Sequence, residues 1–132
     1  MWNTALNGYR EFRVIDDRKH ITSMDEVSTY DLVFIHMDGD DFSPLAMVDE
    51  IPGHRVYFYE TKMSHIKDQE VVIAHEIGHI LGAQHNDHKG SLLFPYYVQQ
   101  AYEGSCVDVY TMKEIVKANY WMKLENTNYC KL

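Results

Sequence analysis

A chain of 132 residues, 45% hydrophobic and 24% charged, has the size and make-up of one globular domain spanning 1–132. Twelve basic against twenty acidic side chains leave a net charge of −8, which argues against nucleic acid or an anionic membrane surface as a partner. No apolar run approaches a membrane span, and the opening Met1-Trp2-Asn3-Thr4-Ala5 lacks the basic-then-apolar pattern of a signal peptide, so no compartment is indicated.

Trp2, Leu6, Tyr9 and Phe12 recur at near-helical spacing and predict a short amphipathic helix within 1–12, the end of a longer one. Phe12, Val14 and Ile15 suit a strand between Arg10 and Asp16, and a polar loop follows through His20. Asp31–Met37 is a nearly continuous β-branched and aromatic run, expected to be a central strand buried on both faces. Asp38-Gly39-Asp40-Asp41 ends it with turn residues. Leu45–Val48, behind Pro44, reads as a short edge strand, Pro52-Gly53 as a turn, and Val56–Tyr59 as a further strand. After a connector at Thr61–Ser64, Asp68–Leu81 reads as the central helix, with Val72, Ile73, Ile77, Ile80 and Leu81 facing the core. Asn86–Gly90 is a loop, and Ser91–Tyr97 a compact apolar turn around Pro95. Thr111-Met112-Lys113-Glu114 has the form of a capping box opening a last helix with Met112, Ile115, Val116 and Tyr120 at helical spacing. Asn126–Leu132 reads as a tail. The two cysteines, Cys106 and Cys130, could pair and pin that tail to the loop before the last helix. With no export signal visible, free thiols are the expectation.

Across the end of the central helix stands His75-Glu-Ile-Gly-His-Ile-Leu-Gly-Ala-Gln-His85, or HExxHxxGxxH. His75 and His79, four apart, project from one helical face at the separation two imidazoles need to hold one small divalent ion. Gly82 can take positive φ, stop the helix and turn the chain so that His85 arrives as a third nitrogen ligand. Three protein ligands leave one position for water, the pattern of a catalytic zinc site and not of a closed structural one. Glu76 follows the first ligand and is placed to act as general base. Five fixed positions would recur by chance in roughly one in ten thousand chains of this length and His-rich composition.

At this motif the chain resembles the metzincin zinc endopeptidases, for which the string is the known signature. The residues after it are similar to the matrixin (matrix metalloprotease-like) branch. Where that branch carries Ala-Leu-Met-Tyr-Pro, this chain has Ser91-Leu92-Leu93-Phe94-Pro95, and Pro95 and Tyr97 match its Pro-x-Tyr. The resemblance covers residues 70–97 well and 30–121 loosely. It implies an α+β, zincin-like fold: a twisted mixed β-sheet packed on the active-site helix, with a small C-terminal subdomain ending in a helix. It implies His75, His79 and His85 as zinc ligands, Glu76 as the catalytic base and Leu93 as the apolar floor in place of the family's methionine. It also implies a peptide substrate running antiparallel to the edge strand at Leu45 and Ala46, with a side chain entering a pocket walled by Pro95 and Tyr97. Leu93 has a volume similar to methionine, so the swap should cost under about 1.5 kcal/mol. Met1 enters inside the family's first helix, and no propeptide switch is readable. A second zinc would draw on His36, Asp38 and His54. A Ca2+ site would draw on Asp38, Asp40 and Asp41, or on Asp49 and Glu50, although acidic turns are usually solvated loops. Tyr96 is offset from the position where the astacin branch has a zinc-facing tyrosine. His20, His65 and His88 are expected to face solvent.

The function these features point to is a monomeric, zinc-dependent endopeptidase acting on peptide or protein substrates. The rivals are a non-catalytic zinc-binding or decoy module on the same scaffold, or an amidase acting on peptidoglycan. The carboxylate at Glu76 speaks against a purely structural metal site, which does not require it.

Overall fold

Three strands and four helices organise the computed structural model, which describes residues 1–13, 32–39, 44–66, 69–95 and 106–131. In chain order they are α1 (Trp2–Leu6), β1 (Val33–Met37), β2 (Ala46–Val48), β3 (Arg55–Tyr59), α2 (Glu60–Met63), α3 (Gln69–Ile80) and α4 (Val109–Ala118), followed by a 3-10 turn at Leu124–Asn126. This is a small α+β fold with a mixed sheet. Among the described residues no helix is long and apolar enough to cross a membrane.

The strand order is β1-β3-β2. β1 runs parallel to β3, with Phe34 opposite Val56 and His36 opposite Phe58, while β2 runs antiparallel to β3, with Ala46 opposite Phe58 and Val48 opposite Val56. β3 alternates as a two-faced strand should, burying Val56 and Phe58 and leaving the residues between them half-buried. The expectation that β1 is buried on both faces is therefore corrected; among the described residues it stands at the end of the strand order. A continuous apolar run does not distinguish centre from edge. Among the described strands β3 takes the middle, because the hairpin partner β2 folds back onto its other side. Phe34 and Met37 of β1 remain 44% and 41% exposed. The Asp49–Arg55 ion pair at 3.0 Å closes the hairpin, and the Gly53 N–H donates to the Ile80 carbonyl at 3.3 Å, fastening the hairpin to the end of α3.

α3 lies between two apolar clusters. Val72 and Ile80 join Val56, Phe58 and Met63 on the sheet side. Ala74 and Leu81 join Trp2, Leu6, Leu92, Leu93, Met112 and Ile115 on the other. A helix covered on two sides is apolar on two sides, so the polar residues that face inward carry information. The Trp2 indole N–H donates to the Ala74 carbonyl at 3.1 Å, tying α1 to the residue before His75.

α1 is shorter than its periodicity predicts. Asn7 takes a left-handed conformation (φ 48°), its N–H closes onto Thr4 O, and Gly8 follows at φ 87°. The Asn3 side chain then holds Phe12 at both its N–H and its carbonyl, at 2.7 and 3.0 Å, so Phe12 packs from an irregular segment. Residues 10–13 form no strand, and 14–20 lie outside the described residues. α4 begins three residues before the predicted capping box. Its N-cap is Asp108, whose carboxylate accepts from the Thr111 N–H, so Thr111 sits inside the first turn.

The two cysteines are joined. The expectation of free thiols is corrected by a Cys106–Cys130 disulfide with Cα atoms 6.0 Å apart, brought together by the parallel bridge between Asp108 and Cys130. The C-terminal stretch is likewise no loose tail. The Asn128 N–H donates to Ala5 O at 2.9 Å, and the Asn7 amide donates to Asn126 O at 2.9 Å.

Candidate metal centre

α3 delivers His75, Glu76 and His79 on consecutive turns, and its C-terminus delivers the turn that returns His85. Gly82 stands at φ 105°, and a Cβ there would lie 2.6 Å from the Ala118 Cβ at the end of α4. Only glycine satisfies both the conformation and the approach. Gly82 N–H to His79 O at 2.9 Å and Ala83 N–H to Gly78 O at 3.0 Å complete the helix end.

The three imidazoles converge. Their Nε2 atoms are 3.2 Å apart for His75 and His79, 3.3 Å for His75 and His85, and 3.0 Å for His79 and His85. Two of the rings are oriented from behind. The Nδ1–H of His75 donates to Leu92 O at 2.7 Å, and that of His79 donates to Ala83 O at 2.7 Å. A carbonyl can only accept, so each Nδ1 carries the proton and each Nε2 presents a lone pair to its neighbours. Lone pairs this close repel unless a cation lies between them. Zinc–nitrogen bonds of 2.0–2.1 Å in a tetrahedral arrangement would set such nitrogens about 3.3 Å apart, so the donor set fits zinc.

Electrostatics favour the ligand form. Burial, then the neighbouring His79, lowers the pKa of His75 to about 4. Burial also lowers those of His79 and His85. Glu76 is buried, and burial raises its carboxyl to about 7.

The turn at 91–95 passes beneath the helix. Leu93 is fully buried, and its Cδ2 lies 2.7 Å from where a Cβ on Gly78 would stand, in the helical turn between the two ligands. Asn86, next to His85, donates its N–H to Leu93 O at 3.1 Å and its amide to Ser91 Oγ at 2.8 Å. Ser91 Oγ in turn donates to Asp108 Oδ2 at 2.8 Å, and Leu92 N–H donates to Asp108 Oδ1 at 2.8 Å. Thr111 supplies two more donors, its hydroxyl at 2.8 Å and its N–H at 3.1 Å. Asp108 is thus a fully buried carboxylate with four hydrogen bonds, linked to His75 through the one intervening residue Leu92. Sequence reading missed it. The available signal was Asp108-x-x-Thr111 ahead of an apolar helix, an N-cap pattern three residues upstream of the one chosen.

The structure does not gather all the candidates. Leu45 and Ala46 lie at β2, both half-buried, with Leu45 O accepting from Tyr59 N–H at 3.1 Å. Pro95 is exposed, while Tyr96 and Tyr97 lie outside the described residues, as do His20, Asp40 and Asp41. Among the described residues His75, His79 and His85 form the metal-competent cluster. His36, Asp38 and His54 form none. His36 instead pairs with Glu60 at 3.5 Å, and Asp49 with Arg55. His65 is exposed, and so is His88, but the His88 ring stacks on Tyr110 with centroids 3.6 Å apart.

Neither the comparison with curated proteins nor that with solved structures returned a match. A comparison with protein-family models matched residues 11–116 to Matrixin. That stretch contains β1 to β3, the whole histidine motif, the turn at Leu93 and most of α4. The chain belongs to the matrixin family.

Proposed function

We propose that the protein is a zinc-dependent endopeptidase, with His75, His79 and His85 holding the ion and Glu76 as general base. The observation that carries this reading is the convergence of three Nε2 atoms within 3.0–3.3 Å of one another, two of the rings fixed from behind by main-chain carbonyls. Zinc held by them supplies Lewis acidity, polarising a carbonyl and acidifying a water.

The chain's own residues do the rest. Glu76, buried and directly following the first of these histidines, is placed to take a proton from water and pass it to the leaving amine. Leu92 O and Ala83 O keep two ligands in one tautomer through the cycle. β2 pairs with β3 along one edge, and its other edge has no strand partner among the described residues. An extended peptide can add there beside Leu45 and Ala46 through main-chain hydrogen bonds. Pro95 and Tyr97 wall the pocket for the side chain beyond the cleaved bond, as the family resemblance implies. The protein acts as a monomer on peptide or protein substrates.

Metal analysis after equilibration with zinc should give one ion per chain, lost in His79→Ala, and a quenched-peptide library should show cleavage that a chelator stops. A chain that takes up no zinc contradicts the reading. Zinc without turnover of any peptide would leave a zinc-binding or decoy domain. Turnover confined to peptidoglycan cross-links would make it an amidase.

A further inference from the structure

We propose that the Cys106–Cys130 disulfide is a redox-sensitive lock on the histidine site, transmitted by Asp108 as a positioning residue; the proposal rests on the zinc-site reading above. The disulfide brackets Asp108 closely. Cys130 N–H donates to Val107 O and Val109 N–H donates to Cys130 O, both at 2.9 Å, so the C-terminal strand segment grips the chain on either side of the carboxylate. From Asp108 two paths reach the ligands. One runs through Leu92, whose N–H is held by Asp108 at 2.8 Å and whose carbonyl orients His75 at 2.7 Å. The other runs through Ser91 Oγ to the Asn86 amide, at 2.8 Å each, next to His85.

Asp108 is fully buried, and among the described residues no Lys or Arg pairs with it. Its four donors are therefore what hold the charge, and they do so only while the backbone at 106–109 stays in place. Two main-chain hydrogen bonds and the disulfide are what attach that backbone to Cys130. Both cysteines are half-buried, within reach of a small reductant. A dithiol supplies two electrons and two protons: the bond between the two Sγ atoms breaks to give two thiols, and the dithiol closes to its own disulfide. With the covalent tie gone, the carboxylate is free to leave the Ser91–Leu92 turn for water, and the turn no longer fixes His75 and His85. Loss of the groups that orient metal ligands typically lowers metal affinity about 10–100-fold.

The test is zinc affinity of the full chain, read by competition with a chromophoric chelator, together with the visible spectrum of the Co2+ form. The disulfide-free state is made as Cys106→Ser/Cys130→Ser, because dithiols themselves bind zinc. The serine pair should bind zinc about 10–100-fold more weakly than the oxidised protein, with an altered Co2+ band and a native far-UV circular dichroism spectrum. Asp108→Asn in the oxidised protein should match it, and the triple variant should be no weaker than either. Should Asp108→Asn not fold, Ser91→Ala takes its place in the cycle. Equal affinity with and without the disulfide, effects that add in the triple variant, or global unfolding of the serine pair would each overturn the proposal. Failure of the oxidised wild type to bind zinc would instead overturn the metal-site reading itself.

Discussion

The Nδ1–H of His75 donates to the carbonyl oxygen of Leu92 over 2.7 Å, across seventeen residues of sequence. The neighbouring Leu93 packs against Gly78, on the helix that carries His75. One turn therefore sets both the orientation of the His75 ring and the packing against the helix that carries it. The orientation comes from the backbone and depends little on side-chain identity, whereas the floor depends on the shape of residue 93.

The metal-free protein should show an opposed pH signature. Glu76 has its folded pKa raised to about 7, so the stability tied to its protonated form is present below its unfolded value near 4.5 and is lost as pH rises through 7. The three histidines have lowered folded pKa values, so their contribution is present above 6.5 and is lost as pH falls. Glu76→Gln removes only the first effect. Relative to wild type, the variant should gain little below pH 4.5 and about 3 kcal/mol by pH 8, as read from urea unfolding with a chelator present. A difference that does not vary with pH would show that Glu76 is not buried as described.

Leu93→Ala should cost about 2–5 kcal/mol, because the residue is fully buried and its neighbours cannot all close the space. Leu93→Met should cost under about 1.5 kcal/mol and leave peptide turnover nearly unchanged. A large gain in turnover with methionine would mean that leucine is a poor floor for the site.

Gly78→Ala places a Cβ 2.7 Å from Leu93 Cδ2. The usual helical advantage of alanine, about 1 kcal/mol, should be outweighed by overpacking of about 1–3 kcal/mol, since Leu93 is enclosed. Leu93→Val lacks a Cδ atom and should relieve the clash, so a double-mutant cycle should show favourable coupling. Independent, additive effects would show that the two residues do not meet.

Gly82→Ala should be more damaging to the site than Gly78→Ala. It combines a φ of 105° with a contact of 2.6 Å to the Ala118 Cβ. The strain alone is about 1–3 kcal/mol, and relief requires moving the turn that carries His85. Zinc affinity should fall along with stability. A variant that loses stability and keeps wild-type zinc affinity would separate His85 from this turn.

The histidine cluster was legible in the sequence because it is local: eleven residues on one helix and its terminating turn, with spacing set by helical geometry. The α+β character was legible from the strand runs and the long helix. What escaped depends on pairing across the chain. Among the described strands, the place of β1 at the end of the order is decided by β2 folding onto β3. The true start of α4 is decided by Asp108, whose partners Ser91 and Leu92 lie sixteen to seventeen residues earlier. The disulfide follows from the bridge at Asp108 and Cys130, and cysteine spacing does not encode that bridge. The shortness of α1 follows from Asn3 and Asn7 bonding to backbone that helical periodicity does not register.

The most direct test of the central claim is to load wild type and Glu76→Gln with zinc in parallel and measure cleavage of one quenched peptide by both. One zinc per chain is expected in each, with cleavage in the variant lower by a factor of about 100 to 10,000. Equal cleavage by the two proteins, or no zinc in either, would contradict it.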